Sequence, residues 1–197
     1  MKITLSRFLL VLFAFFLSFN TAFAGYFDEE DEETATAKPK PEGKPLYTMV
    51  NLWYERPTKI LPLFHQGSMI PVGTKVYIGD TSKKAFYFKT EDGAEYRIYS
   101  WKYYKMPGEE MIKLFFDKKD PKAKGGVYQK FSKMERKQID LGQLKKGMSR
   151  KAAVMAYGFP PTHANPSVKA DTWNLWKNRW DKLIVTFDNG KISEIRD

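Results

Sequence analysis

Residues 132–161 read SKMERKQIDL GQLKKGMSRK AAVMAYGFPP, and this stretch decides the architecture. Ser132-Lys133-Met134-Glu135 has the form of a capping box, in which the Ser hydroxyl and the Glu carboxylate satisfy each other's backbone donors. It predicts a helix running to about Leu141 and stopping at Gly142. Ser149 predicts a second N-cap and a helix running to Tyr157. Gly158 offers the stop, and Pro160-Pro161 prevents continuation. Ala152, Ala153 and Ala156 make this second helix small-sided, so it can approach a sheet closely. Alternating apolar runs follow at 172–176, 183–187 and 191–195. Asn189-Gly190 between the last two predicts a type I′ hairpin. The expected order is helix, helix, then three antiparallel strands.

Upstream, residues 46–105 read as all-β. Short β-rich stretches at 47–54, 74–78, 85–89 and 96–104 are separated by turn signals such as Pro71-Val72-Gly73 and Asp92-Gly93. Phe86 and Phe88 share one face of a hairpin closed at Asp92-Gly93. Four or five short strands in sixty residues predict a small, strongly bent barrel. Residues 106–131 form a connector. Within it, 109–116 predicts a short helix with Met111, Leu114 and Phe115 on its apolar side. The fold class expected is therefore α+β: a small barrel followed by a two-helix, three-stranded antiparallel domain at 132–197.

Two resemblances rest on these residues. Asn51-Leu52-Trp53-Tyr54, Ile70-Pro71-Val72-Gly73-Thr74-Lys75-Val76 and Asp92-Gly93-Ala94-Glu95-Tyr96 resemble a bacterial SH3-like domain. Leu144-Lys145-Lys146-Gly147-Met148-Ser149, Tyr157-Gly158-Phe159-Pro160, the aromatic strand at 173–176 and Val185-Thr186-Phe187-Asp188-Asn189-Gly190-Lys191-Ile192 resemble the BamE (SmpA/OmlA) family of outer-membrane assembly lipoproteins. The second resemblance implies protein binding in the cell envelope. Its fold is shared with small secreted inhibitors of β-lactamase, so enzyme inhibition is a further alternative.

The N-terminus sets the compartment. Lys2 and Arg7 precede an apolar run at 8–19, and Ala22-Phe23-Ala24 supplies a small-x-small cleavage site. Residues 1–24 thus read as a secretory signal peptide, with the mature chain starting at Gly25 in the periplasm. The chain has no cysteine. It therefore lacks the acylated cysteine of BamE-type lipoproteins and must fold without disulfides. Residues 25–45 read as a disordered linker, acidic at 28–33 and Lys-Pro-rich after that. Beyond residue 33 the 31 basic side chains exceed the 17 acidic ones, a net charge of +14. Such a body attracts anionic lipid, lipopolysaccharide or acidic polymers. Export and the lack of any nucleic-acid-binding motif argue against nucleic acid.

Catalytic signals are missing from the sequence. His65 and His163 fall in separate turn-like contexts and form no zinc-ligand cluster. There is no G-x-S-x-G elbow, no S-x-x-K, no cysteine nucleophile, and no P-loop or dinucleotide fingerprint. The expectation is a non-enzymatic protein without cofactor or metal.

Two surfaces are candidates for binding. If 96–104 is a strand, period two places Arg97, Tyr99, Trp101, Tyr103 and Lys105 on one face, suited to peptidoglycan or anionic lipid headgroups. The alternative is that the rings are core and the cations snorkel. The segment 173–180 offers Trp176, Arg179 and Trp180, with Trp173 expected in the core. An exposed Trp beside Arg179 would make an interface anchor. Lys145, Lys146, Arg150 and Lys151 surround a helix N-terminus, where an anion would relieve the conflict with the helix dipole. The leading expectation is a periplasmic binding or scaffold protein with an envelope protein partner, peripheral to the outer membrane. A peptidoglycan or anionic-lipid binder is the rival.

Overall fold

A computed structural model describes residues 43–197, with the side chains of Trp101 and Lys102 excepted. The signal-peptide reading, and the linker reading up to residue 42, lie outside the described residues. The architecture is mixed α+β, with antiparallel sheets and three helices longer than a single turn.

The N-terminal half carries strands β1 (Leu46–Thr48), β2 (Leu52–Tyr54), β3 (Ser68–Ile70), β4 (Lys75–Thr81), β5 (Ala85–Thr90) and β6 (Glu95–Tyr99). A single helical turn, α1 (Trp101–Tyr104), helix α2 (Gly108–Phe115) and the short strand β7 (Phe116–Asp117) follow. Five strands form a sheet in the order β6-β5-β4-β1-β7, while β2 and β3 form a separate ribbon. The sheet is open, so the expected closed barrel is corrected. The physical reason lies at Met49–Asn51. The run predicted as one strand at 47–54 breaks there, because Asn51 turns into the interior and β2 leaves the main sheet for its own ribbon.

The hairpin at Asp92-Gly93 forms as expected. Phe86 pairs with Ile98 and Phe88 with Tyr96, and all four side chains are buried. They form one cluster with Val76, Met111, Phe115 and Phe116. Helix α2 buries Met111 and Phe115 against this cluster, while Leu114 packs at its edge.

The C-terminal half follows the caps. Helix α3 spans Lys133–Leu141 with Ser132 and Glu135 making both halves of the capping box, and Gly142 ends it in the left-handed conformation. Helix α4 spans Arg150–Tyr157, with Ser149 accepting from the Ala152 N–H. Strands β8 (Thr172–Trp176), β9 (Lys182–Asp188) and β10 (Lys191–Arg196) form an antiparallel meander in the order β10-β9-β8. Trp173, Leu175, Val185, Phe187 and Ile192 pack beneath Ala152, Ala153 and Ala156. The small face of α4 permits this close approach.

Buried polar groups join the two halves. The Asn51 side-chain amide donates to the carbonyls of Ile139 at 2.6 Å and Ala156 at 3.0 Å, and its oxygen accepts the Val72 N–H at 2.7 Å. The Tyr104 hydroxyl lies 3.1 Å from the Pro62 carbonyl and 2.9 Å from that of Phe159. Val72 itself is buried in the C-terminal cluster, and Val154 packs against both clusters. Among the described residues no helix is long and apolar enough to cross a membrane.

Candidate functional site

Residues 53–66 and the turn between β8 and β9 enclose a cleft of about 240 Å³ lined by Trp53, Tyr54, Glu55, Arg56, Lys59, Leu61, Phe64, Gln66 and Arg179. Pro57 starts a single 3-10 turn over Pro57–Lys59, closed by the Lys59 N–H donating to the Arg56 carbonyl. Pro has the φ that such a first position needs and no N–H to leave unsatisfied. The turn is then anchored to β6: the Ile60 N–H donates to the Arg97 carbonyl, and the Tyr99 N–H to that of Ile60. Further on, the His65 N–H donates to the Lys177 carbonyl at 2.8 Å, and Phe64 bridges Trp176. These bonds bring Arg56 and Lys59 into the same cleft as Arg179, more than a hundred residues away.

His65 holds this junction. Its Nδ1 lies 2.6 Å from the Trp176 carbonyl, its Nε2 contacts the Tyr157 carbonyl, and its ring stacks on Tyr157 with centroids 3.6 Å apart. Burial pushes its pKa down to about 4 against the opposing pull of the two carbonyls. At neutral pH the imidazole is uncharged, so it donates to one of the two carbonyls at a time.

The electrostatics of the cleft are one-sided. Glu55 is its sole acid against three cations. None of Arg56, Lys59 and Arg179 makes a side-chain hydrogen bond or ion pair with another described residue. Neighbouring cations differ: Lys177 pairs with Asp197 at 2.6 Å, and Lys182 sits 5.7 Å from the Trp176 ring centre. The Trp53 ring lines the cleft while its buried Nε1 has no acceptor among the described residues.

Beside the cleft the β8–β9 turn presents Trp180 at 83% exposure. Asn178 fixes that turn. Its Oδ1 accepts from the N–H groups of Trp180 at 2.8 Å and Asp181 at 2.9 Å, and its amide donates to Asp181 at 2.5 Å. Of the second predicted surface, Arg179 and Trp180 are therefore exposed together. Trp176 is half-buried, with its ring 5.3 Å from that of His163.

The first predicted surface is taken apart. Strand β6 ends at Tyr99, because its partner β5 begins only at Ala85; the Ser100 N–H to the Lys84 carbonyl is the last bond of that register, and residues 101–104 then coil into α1. Arg97 and Tyr99 do share a face, but the Arg97 guanidinium is occupied by the rings of Tyr87 at 5.0 Å and Tyr99 at 4.6 Å. Tyr103 packs instead against Phe64 and His163, and Lys105 is exposed with φ +52°. The side chain of Trp101 lies outside the described residues. The five residues do not form one face.

At the α4 N-terminus a carboxylate already serves the backbone, and of the four cations around it Arg150 has an ion pair. Glu135 Oε1 accepts the Ser149 N–H at 2.9 Å, so the carboxylate of the first helix serves the second. Arg150 pairs with Asp171 at 2.6 Å and covers the Phe187 ring.

Among the described residues no group of three or more His, Cys, Asp and Glu side chains is placed to hold a metal ion. Sequence reasoning missed Trp53, Tyr54, Arg56, Lys59, Phe64 and Gln66 as a group. The signal was present in Trp53-Tyr54-Glu55-Arg56-Pro57-Thr58-Lys59, where aromatics and cations flank a proline turn. Comparison of the chain with protein-family models, with characterised proteins and with solved structures gives no significant match.

Proposed function

We propose that this chain is an exported, non-enzymatic binding or scaffold protein of the bacterial cell envelope, acting through protein–protein contacts and carrying a BamE-like C-terminal module. The helix, helix, three-strand order and the caps at Ser132 and Ser149 support that module. The observation that carries a protein-binding role is Trp180. A large aromatic ring at 83% exposure, on a turn held by three Asn178 hydrogen bonds, next to Arg179, which has no ion pair among the described residues, has the make-up of an interface anchor. A turn already ordered before binding loses little conformational freedom when a partner arrives. The protein works in the periplasm, and its basic body keeps it near anionic envelope surfaces.

The experiment is affinity capture of the full chain from envelope fractions at native abundance. A stoichiometric protein partner, lost in Trp180→Ala, is the expected result. A chain that stays alone, or a partner retained in full by Trp180→Ala, overturns the reading.

A further inference from the structure

We propose that the cleft between Arg56, Lys59 and Arg179 receives an acidic peptide segment of the partner. The cations take its carboxylates, and Trp53, Tyr54 and Phe64 take the apolar side chains between them. This inference rests on the protein-binding reading above and names the chemistry of one contact.

Three features of the cleft carry it. Charge comes first: three cations converge with one acid among them, and none is neutralised by another described side chain. Lys75, Lys122, Arg150 and Lys177 each have a carboxylate within 3 Å, whereas other exposed lysines such as Lys118 and Lys119 have no ion pair among the described residues, so what marks the cleft is three such cations lining one recess. Cations brought together without partners repel one another, and a bound polyanion removes that cost. Arginine in particular offers a planar fork matched to carboxylate.

Shape comes second. The site is a recess of about 240 Å³, room for side chains but not for a flat surface. The aromatic lining comes third. A free inorganic anion would satisfy the cations and leave Trp53, Tyr54 and Phe64 uncovered, whereas alternating acidic and apolar residues fill both parts. Trp180 beside the opening then adds apolar contact to the same bound segment.

The test is fluorescence anisotropy of the full chain with a labelled six-residue peptide alternating glutamate and leucine. Saturable binding is expected, weakened at least about tenfold when glutamines replace the glutamates, and about tenfold by Arg56→Gln or Arg179→Gln. Lys118→Gln and Lys119→Gln remove the same charge from exposed positions outside the cleft and should change affinity less than about twofold. Gln66→Trp leaves the charge untouched but fills the cleft, and should abolish binding. Circular dichroism melts verify that each variant is folded.

Equal losses from the distant lysines and the cleft arginines overturn the proposal, since binding is then general electrostatics. Unchanged binding in Gln66→Trp overturns it too. Phosphatidylglycerol vesicles whose binding depends on Arg56 and Arg179, with no peptide binding, reassign the cleft to lipid. If the peptide fails while Trp180→Ala still loses a captured envelope partner, the cleft proposal falls and the scaffold reading stands. Peptide binding that follows every expectation above, with no partner captured, supports the cleft and overturns the scaffold reading alone.

Discussion

Glu135 Oε1 accepts the backbone N–H of Ser149 at 2.9 Å, so a side chain of α3 completes the N-terminus of α4. Its other oxygen accepts the Ser132 N–H at 3.0 Å and the Ser132 hydroxyl at 2.9 Å. One carboxylate thus serves the first turns of both helices, where negative charge is favoured. Burial raises the Glu135 pKa, but the bonds from Ser149 and Ser132 outweigh it and hold the group below the usual range. A carboxyl depressed on folding contributes stability above its unfolded pKa and loses it as pH falls through the folded value. Glu135→Gln keeps the size and removes the charge. It should cost about 1–2 kcal/mol at pH 7 in urea unfolding. The gap to the parent should begin to narrow below the unfolded carboxyl pKa of about 4.3 and close as pH falls through the depressed folded value, where the parent carboxyl is protonated as well. A gap constant from pH 7 to pH 3 would show that charge is irrelevant there.

Asn51 does at the other ends of these helices what Glu135 does at their starts. Its amide donates to carbonyls in the last turns of α3 and α4, and its oxygen accepts the Val72 N–H. That donor also settles which way the amide points, since only the oxygen can accept it. Asn51→Ala leaves the Ala156 carbonyl and the Val72 N–H unpaired in the interior, while the Ile139 carbonyl keeps the Gly142 N–H, and should cost about 2–3 kcal/mol. Asn51→Asp keeps the shape but turns a carboxylate oxygen toward two carbonyls. It should be at least as damaging at pH 7 and partly recover toward pH 4, because the protonated acid can again donate. Thermal unfolding at both pH values checks the pair. Equal melting temperatures for Asn51→Asp and the parent at pH 7 would sink the assignment.

What was legible in the sequence divides along the range of the interactions. Ser132 with Glu135, Ser149, Gly142 and Asn189-Gly190 act within a few residues, and the elements they bound appear where expected. Asn51 acts 88 and 105 residues away, and no local pattern announces that. The break between β1 and β2 follows from it. The stretch 96–104 has strand composition throughout, yet its partner β5 begins only at Ala85, so the ladder runs out at Ser100 and the strand ends. Half of the cleft was equally hidden, because Arg56 and Arg179 meet only through bonds made by Ile60 and His65. Trp180 and Arg179 were legible because a turn of polar residues between strands presents whatever it carries.

His65 gives the junction a pH dependence. Its pKa falls from 6.5 in the unfolded chain to about 4 in the fold. Between those values the unfolded chain binds more protons, so stability rises with pH across the window and is fully present above about pH 6.5. The linkage predicts a loss of about 2 kcal/mol between pH 7 and pH 5, a range in which depressed carboxylates such as Glu135 contribute little. His65→Gln should be less stable at pH 7, because the ring stack on Tyr157 is gone, and nearly flat from pH 7 to pH 5. Urea midpoints at four pH values measure the slope. A slope retained in full by His65→Gln would place the titrating group elsewhere.

Gly142 separates backbone strain from packing. It has φ +63°, and a Cβ there would lie 2.5 Å from Trp53 Cζ2 and 2.7 Å from Met69 Sδ. Gly190 has φ +74° with open space around it. Alanine at Gly190 therefore meets the left-handed penalty alone, about 1 kcal/mol. Alanine at Gly142 meets that penalty and the Trp53 ring, and should cost about 2 kcal/mol more, since the ring wall of the cleft must shift. Asparagine tolerates the left-handed region. Gly190→Asn should accordingly be close to neutral, while Gly142→Asn stays strongly destabilised. Comparable costs at the two glycines would mean that Trp53 yields freely. The cleft wall would then be soft, and the affinity of the peptide probe should change little in Gly142→Ala. With a firm wall, Gly142→Ala weakens that probe although it alters no residue lining the cleft.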